Sequence, residues 1–130
     1  MILLDTRVVV WLALDLSQLS RKAKAAIDKA RKSGDALAIC DITPLELIAL
    51  VSKGRIHLHI SLETFPREVE SRFVVLPIRA RACVLALGLP ATYPEDPADR
   101  IIGATALAEG LPLLTGDRQI LRSQALATIW

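Results

Sequence analysis

Residues 96–116 read DPADRIIGATALAEGLPLLTG. The first part carries the marks of a helix. Asp96 offers a side-chain acceptor for the cap, Pro97 suits the first helical position, and Gly110 suits the stop. The run PLLTG (112–116) that follows is short and continuously apolar, as expected of a strand buried on both faces. A helix feeding a buried strand is the repeating unit of an α/β domain, in which helices cover a parallel sheet. Asp96 and Asp99 could serve only the helix start, or they could hold something. This stretch alone allows both.

Working outward, four more short apolar runs qualify as strands: MILLD (1–5), ALAIC (36–40), FVVLPI (73–78) and ATIW (127–130). Helical stretches lie between them. SRKAKAAIDKARKSG has Ser20 as cap and Gly34 as stop. TPLELIALVSKG has Thr43 as cap, Pro44 at the first position and Gly54 at the end. RARACVLALG runs to Gly88, and 56–72 adds a further helix. The pattern predicts a single domain over 1–130, a three-layer α/β/α fold with a central, mainly parallel sheet of about five strands. Gly103, Ala104 and Ala106 suit a helix packed close against that sheet. There is no internal repeat, linker or low-complexity segment.

Composition narrows the function classes. Of 130 residues, 52% are hydrophobic but only 4% aromatic, which favours a core of Leu, Ile, Val and Ala. A net charge of +2, from sixteen basic and fourteen acidic residues, is too balanced for a nucleic-acid coat. Asp5 and Arg7 interrupt the N-terminal apolar run, unlike a signal peptide. No stretch approaches the roughly 20 apolar residues that span a bilayer. The expectation is a soluble cytoplasmic protein. Cys40 and Cys83 sit in apolar surroundings and are expected to be buried free thiols in a reducing compartment. Without neighbouring histidines they make a poor zinc site.

The acids carry the chemistry. Asp5 ends the first strand. Glu46 and Asp99 lie in the first turns of two helices, and Asp117 follows the strand PLLTG. In an open parallel sheet these places share one edge, outside the C-terminal ends of the strands, where ligands bind. Each acid has a structural explanation as well. Thr43-x-x-Glu46 is a capping box, Asp96-x-x-Asp99 follows similar logic, and Asp117 lies in a plausible turn, TGDR. Asp5 is harder to dismiss, because a carboxylate ending a buried strand is costly unless paired. Together the four repel one another, and a divalent cation would relieve that. Oxygen-only ligands select Mg²⁺ or Mn²⁺ over zinc. His57 and His59, in RIHLHI, read as part of an amphipathic segment. An acidic pocket holding such a cation suits phosphoryl chemistry. GATALAEG lacks the Lys-Ser/Thr pair of a phosphate-binding Walker loop.

MILLDTRVVVWL, ITPLELIALVSKGRI and DPADRIIGATALAEGLPLLTGDRQI together resemble a PIN domain of the VapC-type toxin class, over nearly the whole chain. In that family the first of these is an opening strand and loop. The resemblance puts the metal-binding and catalytic acids on Asp5, Glu46, Asp99 and Asp117, with Asp96 as cap and metal helper. Thr6 and Thr115 match hydroxyl positions beside the site. It implies Mg²⁺- or Mn²⁺-dependent endoribonuclease activity, a homodimer, and a VapB-type antitoxin whose tail blocks the acidic groove. Two departures stand out: Arg7 replaces a histidine common in relatives, and Asp41 adds negative charge near the site.

An RNA substrate would need cations for its flanking phosphates. Arg118 and Arg122 are candidates, as are Arg21, Lys22, Lys24, Lys29, Arg31 and Lys32, which also read as a solvated helix face. A phosphoaspartate phosphatase or receiver domain is the alternative class. The phosphatase pattern needs an aspartate where Arg7 stands, and a receiver needs a lysine that LLTGDRQI lacks. A PIN-like housekeeping nuclease without an antitoxin, or a PIN-like fold that only binds, are further alternatives.

Overall fold

Five short strands build the sheet of the computed structural model, which describes residues 1–130. They are Ile2–Leu4 (β1), Leu37–Cys40 (β2), Val74–Leu76 (β3), Leu113–Leu114 (β4) and Thr128–Ile129 (β5). All pairings are parallel, and the spatial order is β3-β2-β1-β4-β5. β1 is central, with Leu3 opposite Ala38 on one side and Leu113 on the other. Seven helices complete the chain: Thr6–Leu14 (α1), Arg21–Ser33 (α2), Thr43–Ser52 (α3), Phe65–Arg72 (α4), Ala80–Leu87 (α5), Pro97–Glu109 (α6) and Arg118–Ser123 (α7). None of them is long and apolar enough to cross a membrane.

Successive strand residues point to opposite faces, and the core divides accordingly. Leu4, Ile39 and Leu114 pack with Val8, Ile27, Leu47 and Val69, from α1 to α4. Leu3, Ala38 and Leu113 pack with Tyr93, Ile102 and Ile120 on the other face. β2 is buried at all four positions, which explains its unbroken apolar run. This is the expected three-layer architecture. The chain builds β2 and β3 to one side of β1, then passes back to build β4 and β5 on the other. The strand order therefore diverges between β1 and β4, and a crevice opens beyond their C-terminal ends.

Several local expectations need correction. TRVVVWL is helix, not loop: Val8 and Val9 bury against the sheet, and this packing outweighs the weak helix preference of valine. Thr43 is the first residue of α3 and Ile42 holds the cap position, so no capping box forms. Only Phe65–Arg72 of the 56–72 stretch is helical. TGDR opens α7, because the Asp117 side chain caps the Ile120 amide at 3.0 Å. Cys40 is buried, but Cys83 is exposed on α5. Gly103 makes room for Tyr93 and Leu126 rather than for the sheet, and Ala104 packs against Ala82 and Ala86 of α5. Ser20, Gly34, Asp96 and Gly110 cap their helices as expected, both glycines in the left-handed region.

Candidate metal centre

The buried polar side chains number five: Asp5, Thr6, Thr43, Thr105 and Thr115. All but Thr105 lie at the crevice in two bonded pairs, Asp5 with Thr115 and Thr6 with Thr43. Polar groups are buried only where partners compensate them, so this concentration marks the edge as specialised.

Asp5 follows β1 directly and is 6% exposed. Its Oδ2 accepts a 2.7 Å bond from the Thr115 hydroxyl, which itself accepts the Asp117 amide at 3.1 Å. The hydroxyl is thus fixed from both sides and ties β1 to the end of β4. Burial pushes the Asp5 carboxyl above its ordinary range; the Thr115 bond and the Arg7 charge work against that. Glu46 projects from the first turn of α3. Its Oε1 accepts a 2.6 Å bond from Thr6, whose hydroxyl lies 3.0 Å from that of Thr43. Burial again raises the carboxyl, with the Asp5 and Asp96 charges adding to it.

Asp99 is the most perturbed acid. The Asp96 side chain accepts its amide at 3.1 Å, which starts α6 and fixes the backbone. The Tyr93 hydroxyl donates to its carbonyl at 3.1 Å from below. No protein donor reaches the carboxylate itself. Burial, then the charges of Asp5, Asp96, Glu46 and Asp117, push its pKa up to about 7. The same burial and the charges of Asp99, Asp5 and Asp117 also raise the Tyr93 hydroxyl. Four carboxylates from four different parts of the chain, with Asp96 as a fifth, therefore share one electrostatic environment.

These side chains do not form a closed ligand set as they stand: no three are close enough to grip one ion. The reason is visible in their bonds. Asp96 and Asp117 each give an oxygen to a helix cap, Asp5 and Glu46 each give one to a threonine, and like charges hold the rest apart. Each of these four still has a second oxygen, and Asp99 has two. The donor set is oxygen-only and anionic, which suits a hard divalent cation.

Arg7, exposed in the first turn of α1, is the arginine whose charge acts on both Asp5 and Glu46. Arg118 follows Asp117 and is exposed on α7. Arg100 is committed elsewhere, bonding the Ala86 and Leu89 carbonyls at 3.1 and 3.4 Å. The basic residues of α2 form an exposed face opposite Ala23, Ile27 and Ala30. Asp41 is exposed, and its charge adds to the rise of the Cys40 thiol. His57 and His59 are exposed on a stretch where Ile56 is buried, an alternation without regular structure and without a metal cluster. Sequence reasoning missed two contributors, Thr43 and Tyr93. A hint of the second lay in Gly103, one helical turn after Asp99, where only a missing side chain lets a large neighbour approach.

The family model described as the PIN domain matches residues 2–125. The chain belongs to the PIN-domain family. A curated relative, Ribonuclease VapC22 of Mycobacterium tuberculosis, is 34% identical over 99% of this PIN domain and 98% of its own length. Among solved structures, VapBC2 from Rickettsia felis, bound to a promoter DNA fragment, superposes with a TM-score of 0.71 at 20% identity. That match covers 98% of this chain and 97% of the other. A toxin–antitoxin complex from Klebsiella pneumoniae is 26% identical, with a TM-score of 0.60 over 90% and 87% of the two chains.

Proposed function

We propose that this PIN domain is a metal-dependent endoribonuclease and the toxin of a toxin–antitoxin pair. One observation carries the chemistry: the Asp99 carboxylate, half-buried among four other acids and without a protein donor, whose pKa rises to about 7. Such a group needs a proton or a cation, and near neutral pH a divalent cation competes well. Asp5, Glu46, Asp99 and Asp117 would hold Mg²⁺ or Mn²⁺, with Asp96 assisting. Bound there, the cation would supply Lewis acidity toward a phosphodiester and a more acidic attacking water.

The chain's own residues do the rest. Thr115 and Thr6 each occupy one oxygen of Asp5 and Glu46 and so hold these carboxylates in place. Tyr93 and Asp96 fix the backbone that carries Asp99. Arg7 stands at the mouth and offers a guanidinium to a phosphate of the RNA. The chain has only five Trp, Tyr and Phe residues, and its Tyr is buried, so base stacking has little to work with. Recognition would rest on phosphate contacts and RNA shape.

The toxin role is supported by the 34% identity to a VapC ribonuclease. A VapB-type antitoxin is the expected partner. An apolar groove of about 1030 Å³, walled by α1, α3 and α4 through Val9, Leu12, Leu47 and Phe65, could receive its apolar side chains. Val84 and Leu87, exposed at 71% and 89% on α5, are in keeping with a homodimer. The cytoplasm is the compartment in which such a toxin meets its RNA.

The test is expression in bacteria. Wild-type protein should arrest growth and fragment RNA, co-expression of the adjacent small reading frame should relieve the arrest, and Asp5→Ala should be harmless. Arrest by Asp5→Ala would remove the acid site from the explanation. Arrest that no neighbouring product relieves would remove the antitoxin.

A further inference from the structure

We infer that Thr43 is a positioning residue for Glu46, acting through the Thr6 hydroxyl; this rests on the reading of Glu46 as a metal ligand. Thr43 is fully buried, and its Oγ1 lies 3.0 Å from Thr6 Oγ1. Thr6 Oγ1 lies 2.6 Å from Glu46 Oε1.

A hydroxyl carries one proton, and proton counting sets the direction of the chain. An ionised Glu46 can only accept, so the Thr6 proton goes to Oε1. Thr6 then has none for Thr43, so Thr43 must donate to Thr6. The three groups form a one-way relay, Thr43 to Thr6 to Glu46, across the contact between α3 and α1. A hydroxyl whose lone pair accepts a bond becomes a better donor, so the buried member strengthens the outer bond.

The relay has a geometric consequence. Thr43 and Glu46 are three residues apart in the first turn of α3 and lie on the same face. The bond from Thr43 fixes the Thr6 rotamer, and the bond from Thr6 fixes Oε1. Oε2 is left as the only Glu46 oxygen without a protein partner. Asp5 is held in the same manner from the other side, by the Asp117 amide through Thr115. Two hydroxyl relays thus hold one oxygen each of Asp5, just after β1, and of Glu46 on α3. Thr43 stands one residue inside the cap position held by Ile42, and α3 has no side-chain cap. The partner found for the Thr43 hydroxyl is the Thr6 hydroxyl, on the side of the site.

The test uses the purified full chain, with Thr43→Val, Thr43→Ser, Thr6→Val and the double Thr6→Val/Thr43→Val variant. Mn²⁺ binding is read by the loss of free-ion EPR signal, without RNA. Outer-shell partners of metal ligands typically contribute about 10–100-fold in affinity. Thr43→Val should weaken Mn²⁺ binding about 10-fold or more, and Thr43→Ser should restore it. In the Thr6→Val background, Thr43→Val should have no further effect, because its only route is gone. Additive losses, or equal affinity of Thr43→Val and wild type, would overturn the relay. A second readout is independent of metal: the Thr6 hydroxyl proton should give a slowly exchanging NMR resonance in metal-free wild type and Thr43→Ser, absent in Thr43→Val. A resonance unchanged in Thr43→Val also overturns the relay. Wild type that shows the resonance but binds no Mn²⁺ would overturn the metal reading of Glu46 and leave the relay standing.

Discussion

Replacing Asp99 with asparagine should make the metal-free protein more stable at pH 8. The carboxyl's pKa rises from 3.8 to about 7 on folding, through burial and the charges of Asp5, Asp96, Glu46 and Asp117. The folded chain therefore holds this proton more tightly than the unfolded chain. Its contribution to stability is fully present below about pH 4 and is lost as pH rises through 7. At about 1.4 kcal/mol per pH unit, the full interval is worth about 4 kcal/mol. Asp99 is only half-buried, and solvent screening reduces that to about 1–2 kcal/mol. Asparagine keeps the shape without the charge. Losing the favourable helix-dipole interaction of a first-turn acid costs about 0.5 kcal/mol and does not reverse the sign. Urea unfolding in EDTA should place Asp99→Asn about 1 kcal/mol above wild type at pH 8, with the gap closing toward pH 4. Added Mn²⁺ should reverse the order, since only wild type keeps the full ligand set. A variant less stable than wild type at pH 8 in EDTA, or a gap indifferent to pH, would refute the picture of crowded, uncompensated carboxylates.

Other outcomes follow from the same geometry. Mn²⁺ at 100 times its Kd should raise wild-type stability by about 2.7 kcal/mol at pH 8 and by less at pH 6, where protons compete for Asp99; isothermal unfolding reads both. Thr115→Val removes a donor from a buried carboxylate, so Asp5 should titrate higher, by NMR of its carboxyl carbon, and stability at pH 7 should fall by about 1.5–3 kcal/mol. Arg7→Ala should raise the carboxyl pKa values of both Asp5 and Glu46, and should lower the salt slope of RNA binding by about 1. Gly103→Ala puts a methyl against the Tyr93 ring, with Cζ at 2.8 Å, and should destabilise by about 1–3 kcal/mol in thermal unfolding. Tyr93→Phe in that background should recover part of the loss, because the hydroxyl makes the closest contact.

Much of the sheet could be read directly, for a physical reason. Strands such as Leu37–Cys40 are buried on both faces, and nothing but an unbroken apolar run survives there. Ser20, Asp96, Gly34 and Gly110 marked helix ends because each satisfies a local backbone need visible within a few residues. The α1 helix was not legible, since its three consecutive valines favour strand until Val8 and Val9 meet a sheet formed by distant segments. The acids were legible because sheet topology collects strand ends and helix starts at one edge. Their supports were not. Thr43 and Glu46 have the spacing of a capping box, and only the arrival of Thr6, 37 residues earlier than Thr43, turns that pair toward the site. Tyr93 lies in a loop with no periodicity, and its role depends on where α6 passes over it. Arg118 stood out by adjacency to Asp117 and is exposed on α7; the charge of Arg7, also exposed, bears on Asp5 and Glu46, and only the fold brings it there.

The central claim is that one cluster of carboxylates holds the cation that cleaves RNA. Single-turnover cleavage of a structured RNA by the purified protein tests it most directly, in Mn²⁺ and in EDTA, with wild type, Asp5→Asn and Asp99→Asn. Cleavage should occur only for wild type in Mn²⁺, and each variant should fall by at least about 100-fold while remaining folded. Cleavage in EDTA, or by either variant at the wild-type rate, would contradict the claim.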